Sequence, residues 1–136
     1  MIAAGVSVFY KNSVLLAKRI ETHKGKPVPF GGYWSIFTGA VDPEDLSVAH
    51  AAQRELKEEA DIDVDINDLV FIQAVENPNC TLNVYAYESP EIIFPLLDFE
   101  HTEFGWFTLE ALQNFHGKID PKVADCIRSY KNNSNN

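Results

Sequence analysis

The sequence predicts an α/β (α+β) domain in which a mixed sheet lies between helices. Three observations predict it. Residues 3–10 and 14–20 read as two strands joined by a short turn, residues 47–60 read as a strong helix, and shorter strand and helix signals interleave after it. A chain of 136 residues fits one domain with a sizeable core, and its hydrophobic fraction of 46% is ordinary for a globular protein.

Small or apolar residues alternate with others over residues 3–10, and Lys11-Asn12-Ser13 turns the chain into 14–20, so the opening is a hairpin. Residues 21–33 hold Gly25, Pro27, Pro29, Gly31 and Gly32, which is loop chemistry, and a loop of this length often lines a site. Residues 34–38 are a short strand, followed by a turn-rich connection over 39–46. Ser47 is the expected N-cap of the 47–60 helix, and Ala49, Ala51, Ala52, Leu56 and Lys57 favour it. Residues 70–75 and 82–88 read as strands joined through Asn77-Pro78-Asn79. Residues 92–97 are apolar but flanked by Pro90 and Pro95, which suits an edge strand or a loop. A short strand at 104–107 leads to Thr108, which caps a helix to about residue 115. Asp120-Pro121 opens a last helix reaching about residue 130. A single domain over 1–130 and a disordered polar tail over 131–136 follow, with no internal repeat.

The formal charge of −9, from 20 acidic and 11 basic residues, disfavours a nucleic-acid partner, because phosphate contacts are made mostly by Lys and Arg. No apolar run approaches the roughly 18 residues of a membrane span. The start, Met1-Ile2-Ala3-Ala4-Gly5, lacks the basic region and apolar segment of a signal peptide, so a cytoplasmic location is expected. Cys80 and Cys126 make neither a disulfide framework nor a zinc site and are expected as buried, reduced thiols. His23, His50, His101 and His116 have no metal-ligand spacing, although His101 is placed to touch a substrate.

The chemistry concentrates in Arg54-Glu55-Leu56-Lys57-Glu58-Glu59. On a helix, residues three and four apart share a face. With Glu55 as origin, Glu58 lies at about −60° and Glu59 at about +40°, at roughly 100° per residue. All three carboxylates are expected in one arc, beside a core stripe of Ala49, Ala52, Leu56 and Ala60. Such a cluster repels itself, and a hard divalent cation converts the repulsion into binding. A solvated acidic face with Lys57 and Arg54 as partners is the commoner fate of E-x-x-E-E taken alone.

The surroundings favour the cation. Gly39-Ala40-Val41-Asp42-Pro43 forms a loop before the helix, and Ile62 follows it. Together these residues resemble the Nudix box, G-x5-E-x7-R-E-U-x-E-E-x-G-U, where U is a bulky aliphatic. Residues 54–59 match its centre without a mismatch, and Ile62 matches its last aliphatic. The spacing from Gly39 to Arg54 equals that from the first glycine of the usual pair to the box arginine. Three positions depart: Ala40 replaces the box glycine, Leu46 the first glutamate, and Asp61 the late glycine. Asp tolerates a left-handed backbone better than most residues. Residues 14–19, ending in Lys18 and Arg19, look like the family's second strand, and residues 100–107 look like its late loop and strand.

The resemblance implies a Nudix-type α/β/α sandwich with a mixed β-sheet. It implies metal-dependent hydrolysis of the pyrophosphate linkage of a nucleoside diphosphate derivative, such as ADP-ribose, a dinucleoside polyphosphate or a nucleoside triphosphate. By the same resemblance Glu55, Glu58, Glu59 and the Gly39 carbonyl hold Mg2+ or Mn2+, and Glu58 or Glu100 takes the proton of the attacking water. Arg54 orients a box glutamate. Arg19, Lys18 and Tyr33 reach substrate, with Glu103 as the alternative to Glu100. Tyr33, Trp34 and Phe30 are candidates for stacking on a base. Pro78 leans weakly towards ADP-ribose. The partner is a small nucleotide, and a homodimer is open. A non-catalytic Nudix-fold module that binds nucleotide or protein is the alternative function.

Overall fold

β1 (Ile2–Tyr10) and β2 (Ser13–Arg19) are antiparallel neighbours only beside their turn, at Phe9↔Val14 and Tyr10↔Ser13. Past that point other strands take their edges. β6 (Phe37–Ala40) pairs with β1, and β5 (Trp34–Ser35) pairs with β2. Residues 34–40 therefore fill the opening between the two arms of the hairpin. β1 runs parallel to β8 (Cys80–Glu88), and β8 is antiparallel to β7 (Val70–Asn77). β9 (His101–Thr108) lies antiparallel along β2. A separate ribbon, β3 (Thr22–His23) with β4 (Lys26–Pro27), stands inside the 21–33 loop. The computed structural model describes residues 1–134.

Because β1 and β2 are central strands, they are apolar on both faces. Along β2, Leu15 and Ala17 point to one core while Val14 and Leu16 point to the other. α1 (Val48–Ala60) covers the first core with Ala51, Ala52, Leu56 and Ala60. α2 (Leu109–Gln113) and α3 (Pro121–Ser134) cover the second with Leu112, Val123, Ala124, Cys126 and Ile127. The result is the α/β/α sandwich with a mixed sheet. No helix among the described residues is long and apolar enough to cross a membrane.

α1 begins and ends where local chemistry dictates. The Ser47 hydroxyl accepts from the His50 N–H at 3.2 Å and so caps the first turn. At the other end Asp61 takes the left-handed conformation (φ 56°, ψ 39°) and its N–H closes onto the Lys57 carbonyl. This is the αL cap usually made by glycine, so Asp61 does the backbone work of the glycine it replaces. Its carboxylate adds an ion pair to Lys57 Nζ at 2.6 Å. Ile62 and Val64 then fold back into the core beside the helix. Ala40 sits in β6 with no positive φ, so a side chain is no conformational obstacle there.

Several expectations need correction. The 34–38 strand is two short strands, broken at Ile36, because each pairs with a different neighbour. Residues 92–97 form no strand; they are a loop fastened by Leu96 N–H to the Ala60 carbonyl at 2.9 Å. A 3₁₀ turn at Ile66–Asp68 was not anticipated. Residues 131–134, expected as tail, continue α3: Lys131 is buried, pairs with Glu88 at 2.9 Å and lies over the Phe9 ring at 4.7 Å. The rest of that expected tail, residues 135–136, lies outside the described residues. Cys80 is half-buried rather than buried; Cys126 is buried as expected.

The cap makes a testable distinction. Asp61→Gly should leave stability nearly unchanged, whereas Asp61→Val should lose about 1–2 kcal/mol for a β-branched residue in the left-handed region. Urea unfolding of the two variants checks it.

Candidate active site

The site grows from the C-terminal half of α1. Leu56 and Ala60 anchor the helix on the sheet, and this packing turns Glu59 inward beside them: its side chain is only 3% exposed. Glu55, one turn earlier, lies against β6. A Cβ built on Gly39 would fall 2.1 Å from the Glu55 carboxyl carbon and 2.3 Å from both its oxygens. Only a residue without a side chain lets that carboxylate approach the strand so closely. The glycine is required here for space, not for its φ.

Glu59 and Glu55 share this recess. Burial foremost, and then the neighbouring Glu55 carboxyl, push the Glu59 carboxyl well above the usual carboxylate range, with Glu100 and Asp98 adding in the same direction. Its Oε1 has no hydrogen-bond partner. A buried carboxyl with an unpartnered oxygen, surrounded by like charge, is costly for the fold. A cation would offset that cost. Among the described residues no three acidic, histidine or cysteine side chains stand converged as a finished ion cage. Magnesium does not need one: it commonly takes one or two protein carboxylates and completes its shell with waters and substrate phosphates. The hard oxygen donors of Glu55 and Glu59 fit such an ion.

Arg54 organises the outer side of this pair. Its guanidinium meets Asp45 through two bonds of 2.9 Å each, Glu55 at 2.9 Å, Glu58 at 3.2 Å, and the Ala40 carbonyl at 3.1 Å. The Arg54 hydrogen bonds, with the Asp42 N–H, hold the Asp45 carboxyl down at about 2. Asp45 in return raises the Arg54 pKa further. Leu46, at the position of the first box glutamate, is 85% exposed and touches none of this. Asp45, one residue earlier, pairs with Arg54, so the departure at Leu46 leaves Arg54 anchored.

A cleft of about 510 Å³ opens from this recess. Glu55, Glu59, Glu100, Gly39, Arg19 and Tyr33 all line it, together with Phe30 and Trp34. Five expected site residues do not. Arg54 spends its donors on carboxylates behind the recess. Glu58 stands 56% exposed beside Arg54, since the helix face that buries Glu59 turns Glu58 outward. Lys18 and Glu103 oppose each other in the β2–β9 register, outside the cleft. His101 is buried, its side chain 3% exposed, so it does not offer itself to substrate.

Sequence reasoning did not single out Asn77 and Asp120 as cleft residues, or Asp98 as the partner of His101. Asp98 lies three residues before His101, a spacing with no meaning outside a helix, and no local signal marked it.

A recess of buried acid thus opens into a roomy, aromatic-walled cleft on this sandwich. The chain belongs to the NUDIX family: the NUDIX domain model matches residues 1–128. It is accordingly a Nudix pyrophosphohydrolase acting on nucleotide derivatives, in a family that generally works with divalent metals. The crystal structure of a MutT protein from Methanosarcina mazei Go1 is similar with a TM-score of 0.78 and 19% identity, covering 100% of this chain and 96% of that one. The NUDIX domain of Shewanella oneidensis NrtR, solved with ADP ribose, is similar at 0.74 and 17% identity, over 96% of this chain and 87% of that one. A MutT/nudix family protein from Enterococcus faecalis matches at 0.64 and 19% identity over 79% of this chain, which spans 43% of that protein. At these identities the likeness is one of fold. A comparison with curated proteins finds no match.

The buried acid has a pH consequence. The Glu59 carboxyl titrates above its ordinary value of 4.5 in the fold, so its contribution to stability is full below that value and is lost as pH rises above it. Metal-free protein should therefore melt at lower temperature at about pH 8 than at about pH 5, and Glu59→Gln should flatten that slope and raise the melting temperature at the higher pH. Thermal melts of both proteins in chelator check it. Asp45 works oppositely: its contribution is present above the ordinary carboxylate value of 3.8 and fades as pH falls towards about 2.

Proposed function

We propose that the cleft hydrolyses a pyrophosphate linkage in a nucleoside diphosphate derivative, such as ADP-ribose, a dinucleoside polyphosphate or a nucleoside triphosphate, with magnesium or manganese held by Glu55 and Glu59. The observation that carries this reading is the Glu59 carboxyl, buried beside Glu55 with an oxygen left unpartnered. The Gly39 carbonyl is the further oxygen donor assigned to the ion, and Glu58 adds negative charge from the rim. When bound, the ion neutralises phosphate oxygens and acidifies a water.

The chain's own groups have distinct tasks. Glu100, which lines the same cleft, accepts a proton from the attacking water, whose oxygen bonds to one phosphorus as the bridging P–O bond breaks. Arg54 holds the Glu55 carboxylate in place from behind. Arg19 brings positive charge to the phosphates at the cleft wall. Tyr33 stacks on the base: Phe30 packs edge-on against its ring at 5.8 Å, and the Lys118 ammonium lies 5.9 Å from the ring centre. Lys18 and Glu103 receive no role in this reading. Adenosine-containing substrates are favoured by the ADP ribose bound to the similar Shewanella domain. A reducing, intracellular setting suits the free thiols Cys80 and Cys126.

A panel of nucleoside diphosphate derivatives, incubated with the protein and Mg2+ or Mn2+ and resolved by chromatography, tests the proposal. At least one should yield a mononucleotide product. Glu59→Gln should lower kcat at least roughly a hundredfold, the scale of losing one charge-stabilising group, while Tyr33→Ala should act mainly on KM. No turnover of any panel member with either metal would leave a binding module in place of an enzyme.

A further inference from the structure

His101 is a buried, polarised ring aimed at the acidic recess without touching the cleft. Its Nε2 lies 3.8 Å from Glu59 Oε1, and each side chain is 3% exposed. That distance is too long for a hydrogen bond, and Oε1 has no hydrogen-bond partner. The ring itself is held from several sides. Nδ1 lies 3.0 Å from Asp98 Oδ1, the His101 N–H donates to the Asp98 carbonyl at 3.4 Å, and Phe37 meets the ring edge-on at 5.2 Å.

Asp98 is in turn fastened to the helix and to the catalytic loop. Its N–H donates to the Glu59 carbonyl at 3.0 Å, and its Oδ1 accepts the Glu100 N–H at 3.1 Å. Hydrogen bonds run from the Glu59 backbone through Asp98 to His101, whose ring then stands 3.8 Å from the Glu59 carboxyl. A glutamate side chain has several rotamers, and fixing one costs entropy unless its surroundings reject the others. A rigid ring wedged between Asp98, Phe37 and Glu59 supplies that restriction before any ion arrives.

We infer that His101 is a positioning residue: gripped by Asp98, it fixes the orientation of the Glu59 carboxyl and so sets the affinity of the Glu55–Glu59 pair for a divalent cation. The inference rests on the metal reading proposed above. It also assigns one carboxylate, Asp98, to align both Glu59, through His101, and Glu100, through its backbone. Groups that orient metal-ligating side chains typically govern affinity by 10–100-fold.

The two imidazole nitrogens can be replaced separately. An asparagine amide reaches the Nδ1 position and keeps the Asp98 contact; a glutamine amide reaches the Nε2 position and keeps the group facing Glu59. Mn2+ binding to the full chain is read from the electron paramagnetic resonance of free Mn2+, alongside melting in chelator. His101→Asn should weaken Mn2+ affinity by about tenfold or more, and His101→Gln, which loses the Asp98 contact but still faces Glu59, should weaken it less, while both lower the melting temperature. Asp98→Asn, a milder change, should weaken Mn2+ binding in the same direction and serves if His101→Asn does not fold. Mn2+ affinity unchanged in these variants, or equal losses in the Asn and Gln variants of His101, overturns the inference and leaves the metal reading standing. Wild-type protein that takes up no Mn2+, with or without nucleotide, overturns both.

Discussion

Two carboxylates pressed together in a recess between α1 and β6 govern the rest of this structure. Glu59 is buried because Leu56 and Ala60 must be, and it sits on the same flank of the helix. Glu55 joins it because Gly39 has no side chain to keep it away. Neither arrangement favours the isolated fold: like charges are brought close, and one oxygen goes without a partner. The divalent cation proposed for this pair would offset both costs.

The neighbouring structure reads as support for that recess. Arg54 keeps its charge on the outer side, anchored by Asp45 and touching Glu55. The loop after residue 88 is tied to the last turn of α1 through the Ala60 and Glu59 carbonyls, which brings Asp98, Glu100 and His101 to the same end of the helix. β5 and β6 fill the opening of the first hairpin, so Tyr33 and Gly39 reach one cleft from either end of a short segment. A helix, a wedge of two short strands and a strapped loop thus converge, and each is held by backbone bonds rather than by the acidic groups themselves. The scaffold can bear the repulsion because it does not depend on it.

The departures from the family's box illustrate how local structure survives changed letters. Asp61 adopts the left-handed cap in place of glycine and gains an ion pair with Lys57. Asp45 pairs with Arg54, and Leu46, at the position of the first box glutamate, is exposed to solvent. The alanine-for-glycine exchange at position 40 is harmless to the backbone, since Ala40 lies in a strand with no positive φ. Each substitution preserves a physical requirement, whether a conformation, a charge pairing or room, by a different residue.

The sequence alone determined the opening hairpin, the strong helix with its Ser47 cap, and the spacing that puts Arg54, Glu55, Glu58 and Glu59 on adjacent turns. These are local properties, written in periodicities of two and 3.6 residues and in short capping interactions. It named Ala52, Leu56 and Ala60 as core but took Ala49 in place of Ala51 and set all three glutamates in one arc, so it did not fix how far α1 is rolled on the sheet. That roll buried Glu59 and exposed Glu58, and it follows from Leu56 and Ala60 packing against strands distant in the chain. Nor could it pair Arg54 with Asp45, or set Asp98 and His101 against Glu59, because those contacts join residues with no periodic relation. Local regularity reveals what a segment can present; only long-range packing selects the side chains that meet.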